Sequence, residues 1–161
     1  MYINIENVPE LLGIDGHLGE EILQALFEFT LVFSLTEHRL MNRKGSIHRT
    51  HIYAKDLVEN HGMRADNEFH YFHHRYILGD DAARKLDILC NEIKPDREAV
   101  YAALVKPDPS DFDKVNAVLK VCLRLRHNLF HGNKWQYNLR DQEHNLDTAT
   151  RFFSRYLNSQ R

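Results

Sequence analysis

The sequence predicts an all-α protein, a single-domain bundle of about five or six helices over residues 1–161. Three observations lead to this prediction. Apolar residues recur at intervals of three and four in several segments, and no segment alternates apolar and polar residues over a sustained length. Glycine (7) and proline (4) are scarce for 161 residues, which favours long helices with short connections. The fractions of hydrophobic (43%) and charged (27%) residues are typical of a folded globular chain.

The first half of the chain contains three predicted helices. The first runs from Gly19 to about Arg43, and apolar residues around much of its circumference predict a central helix. A short helix is expected around Tyr53–Asn60, within a loop. The third spans residues 65–79 and is expected to end at Gly79. An aromatic-rich stripe at helical spacing marks its inner face: Ala65, Phe69, Phe72 and Tyr76.

Two further helices are predicted in the middle of the chain, between prolines that interrupt helical structure. Asp80 is expected to cap the first, which Pro95 ends. Asp96 opens the second, a short helix that ends before Pro107. The inner face of the first contains five apolar residues: Ala82, Leu86, Leu89, Cys90 and Ile93.

The last third of the chain contains a longer helix and a C-terminal helix. Ser110 and Asp113 resemble a capping box in which Asp replaces the usual Glu or Gln. The helix that they start is expected to reach about Phe130. A polar segment containing Trp135 and Tyr137 then leads to the last helix, whose apolar residues have a clear 3.6-residue period.

The charge distribution is uneven, although the net charge is only −2. No Asp or Glu occurs from Lys114 to Arg140, and six cationic residues in this segment leave a net −8 for the rest of the chain. They are Lys114, Lys120, Arg124, Arg126, Lys134 and Arg140. Such a segment gives a local positive field suited to phosphate. The alternative is a solvated basic face on an otherwise acidic protein.

Arg126 has an unusual position in this segment. The inward stripe of the predicted helix (Val115, Leu119 and Cys122) continues onto Arg126. Because an unpaired buried charge is costly, Arg126 is expected to face an anion, an aqueous cleft or an acidic residue of another helix. His131 follows near the helix end, about 7.5 Å further along the axis, so the two long side chains can reach one cleft.

The segment Arg126-His127-Asn128-Leu129-Phe130-His131-Gly132 resembles the signature of the HEPN superfamily. That signature is an arginine, a polar residue, three further residues and a histidine, near the end of a late helix in a small bundle. Arg126, His127 and His131 match its three positions. Lys134 resembles the basic residue often seen just beyond the motif. The resemblance also covers the architecture, which is all-α with a long early helix and a final helix after a short loop.

The resemblance implies a metal-independent endoribonuclease that needs no cofactor. The RNA 2′-OH would attack the adjacent phosphorus and leave a 2′,3′-cyclic phosphate and a 5′-OH. Histidine exchanges protons near neutral pH, which makes His131 the predicted general base or acid. Arg126 is the predicted phosphate clamp, because its guanidinium presents several donors to phosphate oxygens. His127 would orient the phosphate.

Further phosphate contacts are predicted from basic and polar residues in and around the motif: Lys120, Arg124, Asn128 and Lys134. One histidine cannot easily serve as both base and acid in one step. The resemblance therefore implies a homodimer, in which two motif helices meet across a two-fold axis and form a composite cleft for RNA. It also implies a possible toxin or defence role, with an antitoxin or regulatory protein as partner.

Two other functions are compatible with the sequence. One is a non-catalytic helical module that binds RNA, a nucleotide or a protein through the same basic cleft. The other is a metal-binding bundle, because His70 and His74 have the i, i+4 spacing of zinc ligands. No third ligand is evident, so no metal site is predicted.

The location expected from the sequence is the cytoplasm. The N-terminal residues lack the basic start and apolar run of a signal peptide. The most apolar stretch, residues 22–35, is shorter than the roughly 20 residues that a membrane span needs. Cys90 and Cys122 both fall in apolar helical patterns and are expected to be reduced core thiols.

Overall fold

The structure, a computed structural model, describes residues 19–130 and 141–160, and these ranges contain seven α-helices and no strand. The helices are α1 (Glu20–Leu40), α2 (Thr50–Glu59), α3 (Asp66–His73), α4 (Ala82–Leu89), α5 (Lys94–Leu104), α6 (Asp111–Phe130) and α7 (Glu143–Asn158). A 3₁₀ turn (Ile47–Arg49) precedes α2, and a π-helical turn (His74–Leu78) continues α3. The all-α prediction is confirmed. The number of helices is slightly higher than the five or six expected, and α2, with 10 residues, is longer than the short helix expected around Tyr53–Asn60.

The centre of the bundle is α6. It packs against α2, α3, α4, α5 and α7. Six of its side chains are 0% exposed: Val115, Ala117, Val118, Leu119, Val121 and Cys122. These positions cover about 200° of the helix circumference, so the apolar face of α6 is wider than that of a typical surface helix.

The prediction that the first helix is central was wrong. α1 packs mainly against α7, where Phe33 meets Phe153 edge to face with 5.4 Å between ring centroids. Its other side exposes Phe27, Leu31 and Leu35 by 69%, 51% and 44%. A helix with apolar residues on two faces has the same sequence pattern whether both faces are buried or one is exposed. The sequence therefore could not show that one face of α1 is exposed.

Of three predicted helix boundaries, one agrees with the structure and two differ. Gly79 does end the π-helical turn, but with a φ of −76°, and a Cβ there would lie 2.9 Å from the His74 carbonyl oxygen. The glycine is thus required by a close backbone approach. α4 begins after Asp81, with a φ of 54° and no side-chain cap, rather than after Asp80. Pro95 lies in the first turn of α5 instead of ending the preceding helix, because a first turn does not use the missing N–H.

The predicted capping box at the start of α6 is confirmed. The Ser110 hydroxyl accepts a hydrogen bond from the Asp113 N–H at 3.3 Å, and the Asp113 carboxylate accepts one from the Ser110 N–H at 3.1 Å. Lys106 donates to the same carboxylate at 2.6 Å, and this hydrogen bond lowers the pKa of Asp113. These contacts fix where α6 begins, and therefore which of its faces each later residue occupies.

Candidate functional site

The predicted motif begins in the last turn of α6, where the buried part of the helix ends. Arg126, His127 and Asn128 are partly exposed there. The other predicted or adjoining residues lie outside the described ranges: His131, Lys134, Trp135, Tyr137 and Arg140. The described part of the site therefore consists of Arg126 and its neighbours at the end of α6, and the role of His131 stays a prediction.

Arg126 faces α1. Its Nη2 lies 3.5 Å from the Glu37 Oε2, and its guanidinium carbon lies 5.9 Å from the centre of the Phe33 ring. The Arg126 side chain is 37% exposed and that of Glu37 is 20% exposed. An ion pair of this length and exposure contributes about 0–1 kcal/mol to stability. The contact matches one of the expected environments of Arg126, an acidic residue of another helix.

Glu37 and Phe33 were not identified from the sequence. Glu37 is 89 positions from Arg126 along the chain, so no motif spacing connects them. Both belong to the helix whose pattern was the least informative, because nearly all of its faces contain apolar residues. Which carboxylate lies near Arg126 depends on the position of α1 in the bundle, and the sequence does not give that position.

The predicted RNA contact of Arg124 does not agree with its position in the structure. Its side chain is 5% exposed, and Nη1 donates to the Asp96 Oδ2 at 2.6 Å. Nε also donates to the Leu89 carbonyl oxygen at 3.3 Å. Asp96 is itself 8% exposed. A phosphate could reach Arg124 only if this buried pair broke, so Arg124 is a structural residue here.

Asn128 hydrogen-bonds to the same carbonyl group as Arg124, that of Leu89. Its Nδ2 donates to the Leu89 oxygen at 2.9 Å. Leu89 is the last residue of α4, where carbonyl groups lack partners within the helix. Arg124 and Asn128, one turn apart on α6, together satisfy this helix end. The predicted phosphate contact of Asn128 would compete with that role.

Lys120 also has a structural contact in place of the predicted phosphate. Its Nζ donates to the Ile47 carbonyl oxygen at 3.0 Å, and burial lowers the pKa of its ammonium group. Lys114, at the start of the acid-free segment, pairs with Asp66 of α3 at 2.6 Å. The positive field expected from this segment is therefore reduced by carboxylates from other helices, which a charge count along the chain does not include.

His127 follows Arg126 in the last turn of α6 and is partly exposed. Neighbouring residues of a helix point about 100° apart, so the two side chains leave the helix in different directions. The predicted role of His127 in orienting phosphate stays a prediction.

The histidines of α3 do not form a recognisable metal site. His70 and His74 are exposed, and the His73 ring stacks on Phe69 with 5.9 Å between centroids. Over residues 19–130 and 141–160, no three His, Cys, Asp or Glu residues are grouped so that they could hold a metal ion. Cys90 and Cys122 are free and buried, as expected, and burial raises the pKa of Cys90 to about 11.

Comparisons with known proteins give no family assignment. No family model matches the sequence, and no curated protein or solved structure matches it either. In the ranges that the structure describes, no helix has both the length and the apolar character needed to cross a membrane.

Arg124 and Arg126 allow a matched test of which arginine is structural. We expect Arg124→Ala to lower the free energy of unfolding by about 3–5 kcal/mol, because it leaves the Asp96 carboxylate buried without its partner. Arg126→Ala should cost about 0–1 kcal/mol, because its ion pair is partly exposed. Urea denaturation followed by circular dichroism measures both. Equal losses for the two variants would contradict the assignment.

Proposed function

We propose that this protein is a metal-independent endoribonuclease of the HEPN type. The observation that carries the proposal is the position of Arg126, a guanidinium that remains partly exposed at the end of an otherwise buried helix. It is also the first residue of the segment 126–132 that resembles the HEPN motif. Lys114, Lys120 and Arg124 are each in contact with a carboxylate or carbonyl oxygen at 2.6–3.0 Å.

In the proposed reaction the RNA supplies its own nucleophile. The base takes the proton of the 2′-OH, the 2′ oxygen bonds to phosphorus, and the bond from phosphorus to the 5′ oxygen breaks. The leaving 5′ oxygen takes a proton from the acid. His131 is the proposed proton-transfer residue, because a histidine changes its charge near neutral pH. Arg126 stabilises the negative charge that develops on the phosphate oxygens.

The proposed assembly is a homodimer with a composite cleft, because one histidine cannot act as base and acid in the same step. A two-fold axis near the motif would bring two copies of Arg126 and His131 to one RNA phosphate. The biological setting proposed with this activity is a toxin or a defence effector, controlled by an antitoxin or another regulatory protein.

A second candidate is a non-catalytic module that binds RNA, a nucleotide or a protein at the same place. The neutralisation of the acid-free segment favours it, because Asp66 and Asp96 cancel charges that RNA would otherwise attract. Binding without cleavage is the outcome that separates this module from the nuclease.

The proposed activity predicts metal-independent cleavage. Purified protein incubated with RNA in excess EDTA should leave 2′,3′-cyclic phosphate and 5′-OH ends. We expect Arg126→Ala and His131→Ala to lower the cleavage rate by about 100-fold or more, the usual contribution of proton transfer or charge stabilisation. Mass spectrometry of the product ends, with cleavage rates from labelled RNA, measures both effects.

Two exposed residues provide matched controls for this experiment, Arg39→Ala on α1 and His51→Ala on α2. Both should cleave at the wild-type rate. RNA that binds but stays intact would support the non-catalytic module. Activity that disappears in EDTA and returns with a divalent metal would contradict the metal-independent mechanism.

The Glu37 contact predicts a gain of RNA affinity. Glu37 competes with phosphate for Arg126, so Glu37→Gln should tighten RNA binding by about two- to fivefold, the equivalent of a partly exposed ion pair. Glu21→Gln removes the same charge from an exposed position on α1 and should change affinity less. Fluorescence anisotropy with a labelled oligonucleotide measures both. Weaker binding by Glu37→Gln would mean that Glu37 positions Arg126 for RNA instead of competing for it.

The composite cleft predicts that one missing histidine inactivates a whole dimer. Wild-type protein refolded with an equal amount of His131→Ala should give dimers of which about one quarter keep both histidines, so about one quarter of the activity of the same total amount of wild-type protein is expected. Sites that work independently would keep about one half. Light scattering gives the mass of the assembly. A monomer, or activity near one half, would contradict the shared site.

A further inference from the structure

A cleft between α1, α3 and α7 lies apart from the predicted motif. Its volume is about 660 Å³, and its walls include Glu28 of α1, Glu68 and Tyr71 of α3, and Arg151 of α7. Clefts of about 300–1,000 Å³ are the size that holds organic ligands. Glu28 precedes Glu37 by about 13 Å along α1, so the cleft and the Arg126 contact occupy different parts of that helix.

Glu68 brings an acceptor to this cleft that has no partner in the described part of the protein. Glu68 is 7% exposed, and its Oε1 accepts a hydrogen bond from Arg155 at 2.9 Å. Its Oε2 is buried and without a hydrogen-bond partner among the described residues. A buried carboxylate oxygen in that condition is unfavourable, so the arrangement favours a ligand that brings an N–H donor.

Two residues of α7 add polar groups to the same walls. The Thr150 hydroxyl is buried and, among the residues described, also has no hydrogen-bond partner. Arg151 is exposed, and its Nη2 makes one long hydrogen bond to the Thr148 hydroxyl at 3.4 Å. Arg155, in contrast, is held by Glu68 and by the Arg64 carbonyl oxygen. Arg151 is therefore the cation of this cleft that can bind an anionic ligand with the least loss of internal contacts.

We propose that this cleft binds a nucleotide whose base carries an exocyclic amino group. The amino group donates to the Glu68 Oε2, the buried carboxylate oxygen that Arg155 does not bond, once the ligand reaches it. The phosphate binds Arg151 through charge-assisted hydrogen bonds, and Tyr71 offers an aromatic surface to the base. A bare ion would leave most of 660 Å³ empty. The proposal goes beyond RNA cleavage, since it involves neither Arg126 nor His131.

Cytidine and uridine monophosphate form a matched pair of probes. They differ at position 4 of the base, where cytosine has an amino group and uracil has a carbonyl oxygen. The adjoining N3 accepts in cytosine and carries the hydrogen in uracil. Isothermal titration of the wild-type protein should show at least about tenfold tighter binding of cytidine monophosphate, the usual effect of one well-placed hydrogen bond to a charged group. No binding at millimolar concentration, or equal binding of both, would overturn the proposal.

Variants test each contact separately. In Glu68→Gln the amide oxygen can keep the bond to Arg155, and the amide N–H then points where Oε2 was, so the preference should shift towards uridine monophosphate. Arg151→Met should weaken cytidine monophosphate about tenfold and leave the uncharged nucleoside cytidine unchanged. An unchanged preference in the first, or unchanged nucleotide affinity in the second, would refute the assigned contact.

Thr150→Val keeps the side-chain shape and serves as a variant that does not disturb the Glu68 pair. It should keep the wild-type melting temperature and bind cytidine monophosphate more weakly. Full affinity in this variant and in Arg151→Met would overturn the site even if Glu68→Gln failed to fold. These experiments use no cleavage, so their failure is distinct from that of the proposed nuclease.

Discussion

The buried ion pair between Arg124 and Asp96 determines how the middle of the chain attaches to the central helix. Asp96 lies in the first turn of α5, and Arg124 also donates to the last carbonyl of α4, so one side chain fixes both helices on α6. Asn128 supports the same carbonyl one turn later. Breaking the pair would leave a buried charge unpaired, which costs far more than losing a surface ion pair. Arg126 follows Arg124 by two residues, about 200° around the helix, and so points towards α1 instead.

The cations of the acid-free segment differ in their distances to the carboxylates of other helices. Lys114 and Arg124 contact their carboxylates at 2.6 Å, whereas Arg126 is 3.5 Å from Glu37. Arg126 is also the more exposed of the two arginines. Packing against other helices therefore decides which carboxylate lies near each cation, and a count of charges along the chain does not show it.

The sequence was sufficient for features that depend on near neighbours along the chain. The all-α class, the capping box of Ser110 and Asp113, and the inward stripe that ends at Arg126 all follow from spacings of three or four residues. Contacts between distant elements were not predictable in the same way. The carboxylates that meet Lys114, Arg124 and Arg126 come from α3, α5 and α1, and their choice depends on how the helices pack. Arg124 was misjudged for that reason, since a buried arginine and a ligand-binding arginine have the same sequence signature.

α1 shows how one helix can keep several surfaces separate. Phe33 and Glu37 contact Arg126, Glu28 borders the cleft near Glu68, and Leu35 is exposed. Leu35 and Glu37 are about 200° apart around the helix, so a molecule covering the outer apolar face would leave Arg126 accessible. The cleft and the Arg126 contact are likewise separated along its length. A helix with this many occupied faces cannot be read from its hydrophobic pattern, because each surface adds its own apolar or charged positions to the same 21 residues.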